Sequence, residues 1–250
     1  MRLIVFDIVG YIAHFRKHFT TTSSLSYAFP PRTTICGMIA GVLGFERDSY
    51  YDEFSSEKCK VGLKIMKPIR RFVETVNYLM TDKDALDYLE KYGLWKTEPA
   101  QIRTELIMVD GKVFSELRYR IFFNHENTTL MEELKKRIIN KNFFYPPSLG
   151  TANNLAILEY INDTEAEIFR PEKEIYVHTV VPISKVNLLP EKGLRIYVEE
   201  LVPADFSRDR KLIRKENYLY EGNGKPIKVY TNEEVFKCKI EGEEIIGLFL

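Results

Sequence analysis

Residues Arg2 to Gly44 read RLIVFDIVGYIAHFRKHFTTTSSLSYAFPPRTTICGMIAGVLG, and this stretch decides how the rest of the chain is read. Residues 2–15 are apolar on both faces: Leu3, Val5, Val9 and Tyr11 alternate with Ile4, Phe6, Ile8 and Ile12. Such a strand belongs in the interior of a sheet covered on both sides. A hydroxyl-rich segment without apolar period follows and reads as irregular. Pro30-Pro31 then sets up a helix start, because proline is tolerated in the first helical turn. The helix predicted over Arg32–Gly44 presents Ile35, Met38, Ile39, Val42 and Leu43 on one face. Gly37, Gly41 and Gly44 form a second stripe. Each interior Gly costs about 1 kcal/mol against Ala, so three of them predict a close backbone approach, most simply tight packing on a sheet.

Outward from this stretch, Val61–Asn77 reads as a strand or strand pair interrupted at Pro68. Thr81 caps a short helix through Lys91, with Gly93 as its stop. Ile102–Val109 and Val113–Phe123 flank Asp110-Gly111, a strong hairpin signal. Thr129 and Glu132 are spaced as a capping box for a second helix with Leu130, Met131, Leu134 and Ile138 on its face. A turn-rich segment, residues 143–154, leads to a strand over Leu155–Ile161. The first 165 residues therefore run strand, helix, strand, hairpin, helix, strand. This is the order of a ferredoxin-like (RRM-like) α+β domain, here with an insertion. Residues 166–250 hold short strands broken by Pro and Gly and read as a small antiparallel β domain.

Composition narrows the function classes. The 250 residues are 45% hydrophobic and 29% charged, ordinary for a globular protein with a real core. Thirty-six basic residues balance thirty-six acidic ones, so any polyanion-binding surface must be local. Cys36, Cys59 and Cys238 form neither a disulfide framework nor a zinc knuckle. The longest apolar run, Ile35–Phe45, is far short of the roughly 18–20 residues that span a bilayer. The N-terminal run carries Asp7 and continues into further structure, so it reads as a strand and not a signal peptide. A cytoplasmic location is the default, with no membrane partner and no cofactor implied.

From Ile8 through Phe45 there is no Asp or Glu, although 36 of 250 residues are acidic. For a fixed window the random chance is on the order of a few in a thousand. Within it lie His14, Arg16, Lys17, His18 and Arg32, among many Ser and Thr hydroxyls, ahead of a helix N-terminus. Cations, hydroxyls and free amides without a competing carboxylate are what a phosphate backbone requires. The plain alternative is a polar loop between a buried strand and a buried helix. Basic runs at Lys58–Arg71 and Arg208–Lys215 extend the patch if they share its face, and are otherwise solvated surface. Tyr145-Pro-Pro-Ser-Leu-Gly150 is a connection or, with its aromatic ring, a second wall for a nucleic-acid strand. No nucleotide-binding, hydrolase or metalloprotease motif is present. Lys17, His18 and Tyr27 could make a metal-independent ribonuclease site, although a loop histidine is more often simply polar. A third reading is a protein-interaction module using the insertion and the C-terminal strands.

Phe15–Gly44, with its hydroxyl-rich loop, Pro-Pro-Arg-Thr-Thr and glycine-bearing helix, resembles the signature of the CRISPR-associated "Cas-five" family of RAMP proteins, closest to the type I-B variety. Tyr145–Ala152 and Glu200–Arg210 resemble two further family segments. The resemblance implies a subunit of the crRNA-guided surveillance complex Cascade that holds the 5′ handle of the crRNA and cuts nothing. It implies a β-hairpin thumb between about residues 73 and 117, and contacts with the Cascade backbone subunit and large subunit. Carried over by motif, the handle-binding positions are Arg16, Lys17, Thr21, Ser23, Arg32 and Thr33, with Tyr145 and Gly150 opposite. A nuclease branch of the family, in type I-C, cuts precursor RNA with a Tyr, a Lys and a His. The only Lys-His pair here is Lys17-His18, outside the later strand and hairpin region where that branch would carry it. That departure implies the non-cleaving majority.

Overall fold

The computed structural model describes residues 1–20, 24–78, 83–94, 100–111 and 115–250. Strand β1 (Arg2–Gly10) is buried from Leu3 onward because both of its faces are covered. Ile4, Phe6 and Ile8 enter the main core, whereas Leu3 and Val5 pack with Phe122, Phe236 and Cys238 in a second one. A short pair, β2 (Phe15–Arg16) and β3 (Ser26–Tyr27), leads to helix α1 (Arg32–Leu43). Next come β4 (Cys59–Ile65), β5 (Ile69–Tyr78), α2 (Lys83–Tyr92), β6 (Ala100–Val109), β7 (Leu117–His125), α3 (Thr128–Asn140) and β8 (Ile157–Glu165). The central sheet has the order β4-β7-β1-β8 with every pair antiparallel. Helices α1 and α3 bury Ile35, Ile39, Leu134 and Ile138 in the main core, on the face of Ile4, Phe6 and Ile8.

The chain continues through β9 (Glu167–Phe169), β10 (Ile175–Val177), β11 (Val181–Pro182), β12 (Asn187–Leu188), β13 (Ile196–Phe206), β14 (Leu212–Glu221), β15 (Ile227–Tyr230), β16 (Val235–Ile240) and β17 (Glu243–Gly247). The main core runs past the boundary expected at 165/166. Val180, Val202, Tyr218, Tyr220 and Leu250 belong to it, and Val180 and Leu250 donate backbone hydrogen bonds to Leu63 and Val61 on β4 at 2.8 and 2.9 Å. No helix among the described residues is long and apolar enough to cross a membrane.

Two local expectations are corrected. The run 102–109 does not form a hairpin through Asp110-Gly111. It pairs as β6 with β5, from Ile69↔Val109 to Tyr78↔Ala100, while β7 enters the central sheet between β4 and β1. Burial explains the choice: β7 is apolar enough to be covered on both faces, whereas β5 and the outer part of β6 are largely exposed. Gly111 still turns, at φ +84°. The cap of α3 is Asn127, whose side chain accepts from the Leu130 N–H at 3.1 Å, two residues before the expected box. The expected cap Thr81 lies outside the described residues; α2 ends at Gly93, at φ +63°.

The sheet edge is tied to α3 by Asp163 on β8, which accepts from Arg2 Nε and Nη2 at 2.8 and 2.6 Å and from Lys135 Nζ at 2.7 Å. The Arg2 bonds, with Lys135, hold its carboxyl down to about 2. An unfolded Asp titrates near ~3.9, so the clamp stabilises the fold above about pH 4 and is lost as pH falls toward 2. The urea midpoint of the wild type is expected to drop through that window and that of Asp163→Asn to drop less. Parallel midpoint–pH curves would show that the clamp contributes nothing.

Candidate nucleic-acid interface

Although acid-free in sequence, the loop between β1 and α1 is lined by carboxylates in space. Glu105 of β6 accepts from the Ser26 N–H at 2.8 Å. Glu199 of β13, 1% exposed, accepts from Lys17 Nζ at 2.6 Å, from the Ala28 N–H at 3.0 Å and from Arg71. Asp205, farther along β13, accepts from Arg32 Nη1 at 2.8 Å and Arg214 Nε at 3.0 Å.

Arg32 is therefore not a phosphate contact. Its side chain is 2% exposed and donates further to the carbonyls of Ala204, Phe54 and Cys59 at 2.9–3.1 Å. The N-terminus of α1 is closed as well: Pro30 and Pro31 are buried and Thr33 is half-buried. His14 is also interior, its Nδ1 2.8 Å from the Glu105 carbonyl and its Nε2 3.1 Å from Ser24 Oγ. Thr21 and Ser23 lie outside the described residues.

What faces outward is a narrower strip. Arg16 is exposed, and among the described residues its guanidinium meets the Thr20 carbonyl, at 3.4 Å. His18 and Phe19 are exposed and touch edge to face, with ring centroids 5.3 Å apart. Lys215 of β14 is exposed and close enough to His18 to disfavour its protonation; burial, the larger cause, acts the same way. Among the described residues neither Arg16 nor Lys215 has a carboxylate within ion-pair distance. In the other basic runs Lys58, Lys64, Arg71, Arg210 and Arg214 each pair with an acid.

The residues Lys17, His18 and Tyr27 do come together. Lys17 Nζ lies 5.3 Å from the Tyr27 ring centroid, and His18 Nδ1 lies 3.0 Å from the Tyr27 hydroxyl. That hydroxyl donates to the Leu201 carbonyl at 2.8 Å. Its one proton is thereby committed, so His18 Nδ1–H donates to it and Nε2 keeps its lone pair. Burial, then Glu199, push the Tyr27 phenol well above its ordinary range. The trio is a neutral imidazole, a protonated phenol and an ammonium already neutralised by Glu199.

The 143–154 turn packs on α1 through Phe144 and Tyr145, while its Leu149 carbonyl accepts from the His14 amide at 3.0 Å at the start of the loop. Gly37 and Gly44 make room for the rings of Tyr50 and Phe144, whereas a Cβ at Gly41 would meet only the Tyr145 Cβ, at 3.9 Å. Tyr145 remains 52% exposed. Gly150 faces no ligand: at φ +97° it abuts strand-end backbone, and a Cβ there would lie 2.0 Å from the His14 carbonyl oxygen. Glu199 is the residue that sequence reading missed; its alternation within β13 does not distinguish it from a solvated acid.

The fold is a mixed α/β one, with mostly antiparallel sheets and few helices. A family model for CRISPR-associated protein (Cas_Cas5) matches residues 3–211. The crystal structure of a CRISPR protein from Archaeoglobus fulgidus is similar, with a TM-score of 0.59 at 14% identity over 99% of this chain and 100% of that one. A chain of a CRISPR RNA-guided surveillance complex is similar with a TM-score of 0.51 at 13% identity, covering 90% and 91% of the two chains. No curated protein matches. This chain belongs to the Cas5 family of CRISPR-associated proteins.

Arg32 and Arg16 should separate cleanly in a stability measurement. Arg32→Met leaves Asp205 without its buried partner and is expected to lower the unfolding free energy by roughly 3–5 kcal/mol. Arg16→Ala should stay within about 0.5 kcal/mol of wild type. Chemical denaturation of both variants checks the assignment, and a stable Arg32→Met would refute it.

Proposed function

We propose that this chain is a non-catalytic RNA-binding subunit of a type I CRISPR surveillance complex, of the I-B variety. In this reading it holds the 5′ handle of the crRNA and contacts the backbone and large subunits of Cascade. Family membership supports a place in a CRISPR effector complex. The observation that carries the RNA-binding part is the outward strip of Arg16, His18, Phe19 and Lys215, which holds two cations without carboxylate partners among the described residues and an exposed aromatic ring. In chain order the central sheet runs second, third, first, fourth strand, which supports a ferredoxin-like RAMP domain over residues 1–165. Hairpin β5–β6 projects largely exposed from it, which supports a thumb, and residues 166–250 form the β extension.

A second reading, metal-independent cleavage of precursor crRNA, draws on the Nε2 of neutral His18, which has no hydrogen-bond partner among the described residues and is a competent base for a ribose hydroxyl. The neutralised Lys17 weighs against it, because the charge of a transition state would have to compete with Glu199.

Titrating labelled repeat RNA at several salt concentrations tests the first reading. Arg16→Ala and Lys215→Ala should each weaken binding and flatten the log–log salt slope by up to about 0.7 per phosphate lost. Unchanged affinity and slope in both would overturn this interface. Incubation in EDTA decides the second reading: single-position cleavage abolished by His18→Ala would replace the non-catalytic reading.

A further inference from the structure

Where the root of hairpin β5–β6 meets β13 and β14, a cleft of about 260 Å³ opens between the two hairpins, lined by Ile69, Arg70, Arg71, Ile107, Tyr197 and Tyr220. Its apolar side is firm, since Ala28, Ile69 and Ile107 are all buried. Tyr197 is stacked on Tyr220, with centroids 5.4 Å apart and an interplanar angle of 27°. Gly222 gives this ring its place, because a Cβ there would lie 2.8 Å from Tyr197 Cε2. Tyr197 is nevertheless 45% exposed, so a fixed aromatic ring stays reachable.

The guanidinium groups of the cleft are not equivalent. Arg71 pairs with Glu199, and Arg195 pairs with Asp110 at 3.0 Å and Asn223 at 2.5 Å. The neighbouring Glu221 is occupied by the amides of Arg195, Asn223 and Lys225. Arg70 has no carboxylate partner among the described residues, its contact being Met108 Sδ at 3.3 Å. Arg70 sits opposite Met108, on the face of the β5–β6 ribbon away from Ile69, Arg71 and Ile107, so its guanidinium is turned from the cleft. An immobilised, reachable aromatic ring over apolar side chains matches a planar base. The volume is just below the roughly 300–1,000 Å³ of clefts that enclose a drug-sized molecule, which suits one nucleotide and excludes a duplex.

Resting on the RNA-binding reading above, we propose that this cleft takes a single unstacked nucleotide of the bound strand, its base against Tyr197. Glu199 holds both Lys17, next in sequence to Arg16 of the outward strip, and Arg71 of the cleft.

The test uses the full chain and a set of single-stranded repeat RNAs, each with 2-aminopurine at one position. One position should be quenched on binding to wild type. Tyr197→Leu should restore its fluorescence and weaken binding by roughly 5- to 100-fold, the size of one base–aromatic stack, while Tyr197→Phe should preserve both. Arg70→Ala, on the opposite face of the ribbon, should keep the quenching. Urea midpoints for each variant exclude unfolding as the cause. RNA bound equally by wild type and Tyr197→Leu, with no position quenched, would overturn the cleft and leave the outward strip standing. Equal losses in Tyr197→Leu and Tyr197→Phe would also overturn the stacking role. Failure of wild type to bind any of the RNAs would overturn both sites.

Discussion

Two carboxylates on β13, Glu199 and Asp205, hold the N-terminal loop and the first helix where they are. A buried carboxylate without partners is expensive, and one with several charge-assisted donors is tolerated. Glu199 has Lys17, Arg71 and the Ala28 amide; Asp205 has Arg32, Arg214 and, at 3.2 Å, the Ser56 amide. Each collects three donors, so removing one leaves charge that the others must absorb. The C-terminal strands are thus not an appendage, since without β13 the cations of the loop and of α1 would lose their counter-ions.

That arrangement explains which parts of the molecule were legible in the sequence. Strand β1, helix α1, the break at Pro68 and the face of α3 follow from apolar period and from proline chemistry, and each is local. The glycine stripe was legible as close packing, but its partners Tyr50, Phe144 and Tyr145 could not be read from the helix alone. The partner of residues 102–109 was misread because Asp110-Gly111 is a strong local cue and burial of β7 is a stronger global one. An acid-free window describes distance along the chain, and Lys17 and Glu199 are separated by 182 residues. Arg16 and Lys17 are adjacent in sequence, yet one is exposed without a carboxylate and the other is neutralised. Nothing in residues 16 and 17 themselves records that difference.

Hairpin β5–β6 shows the same division between a fixed root and an open end. At the root, the Ile69 amide donates to the Gly222 carbonyl at 2.9 Å, and Ala13 and Ile107 exchange backbone hydrogen bonds at 2.8–2.9 Å. The outer part of β5 is exposed, and Ala85 is the sole buried residue of α2 among those described. Few buried apolar contacts mean a small free energy for local opening, so the outer hairpin lies at the low-stability end of the fold. Its root, however, supplies Arg71 to Glu199, the carboxylate that also holds Lys17. Drawing Arg71 away leaves Glu199 more dependent on Lys17 and so makes that ammonium less available to a phosphate. A phosphate that draws Lys17 outward makes Glu199 lean on Arg71 and so favours the docked root. By linkage the two effects are equal in free energy. A shared carboxylate is therefore enough to couple the position of the hairpin to the charge presented by the loop, with no movement of the central sheet.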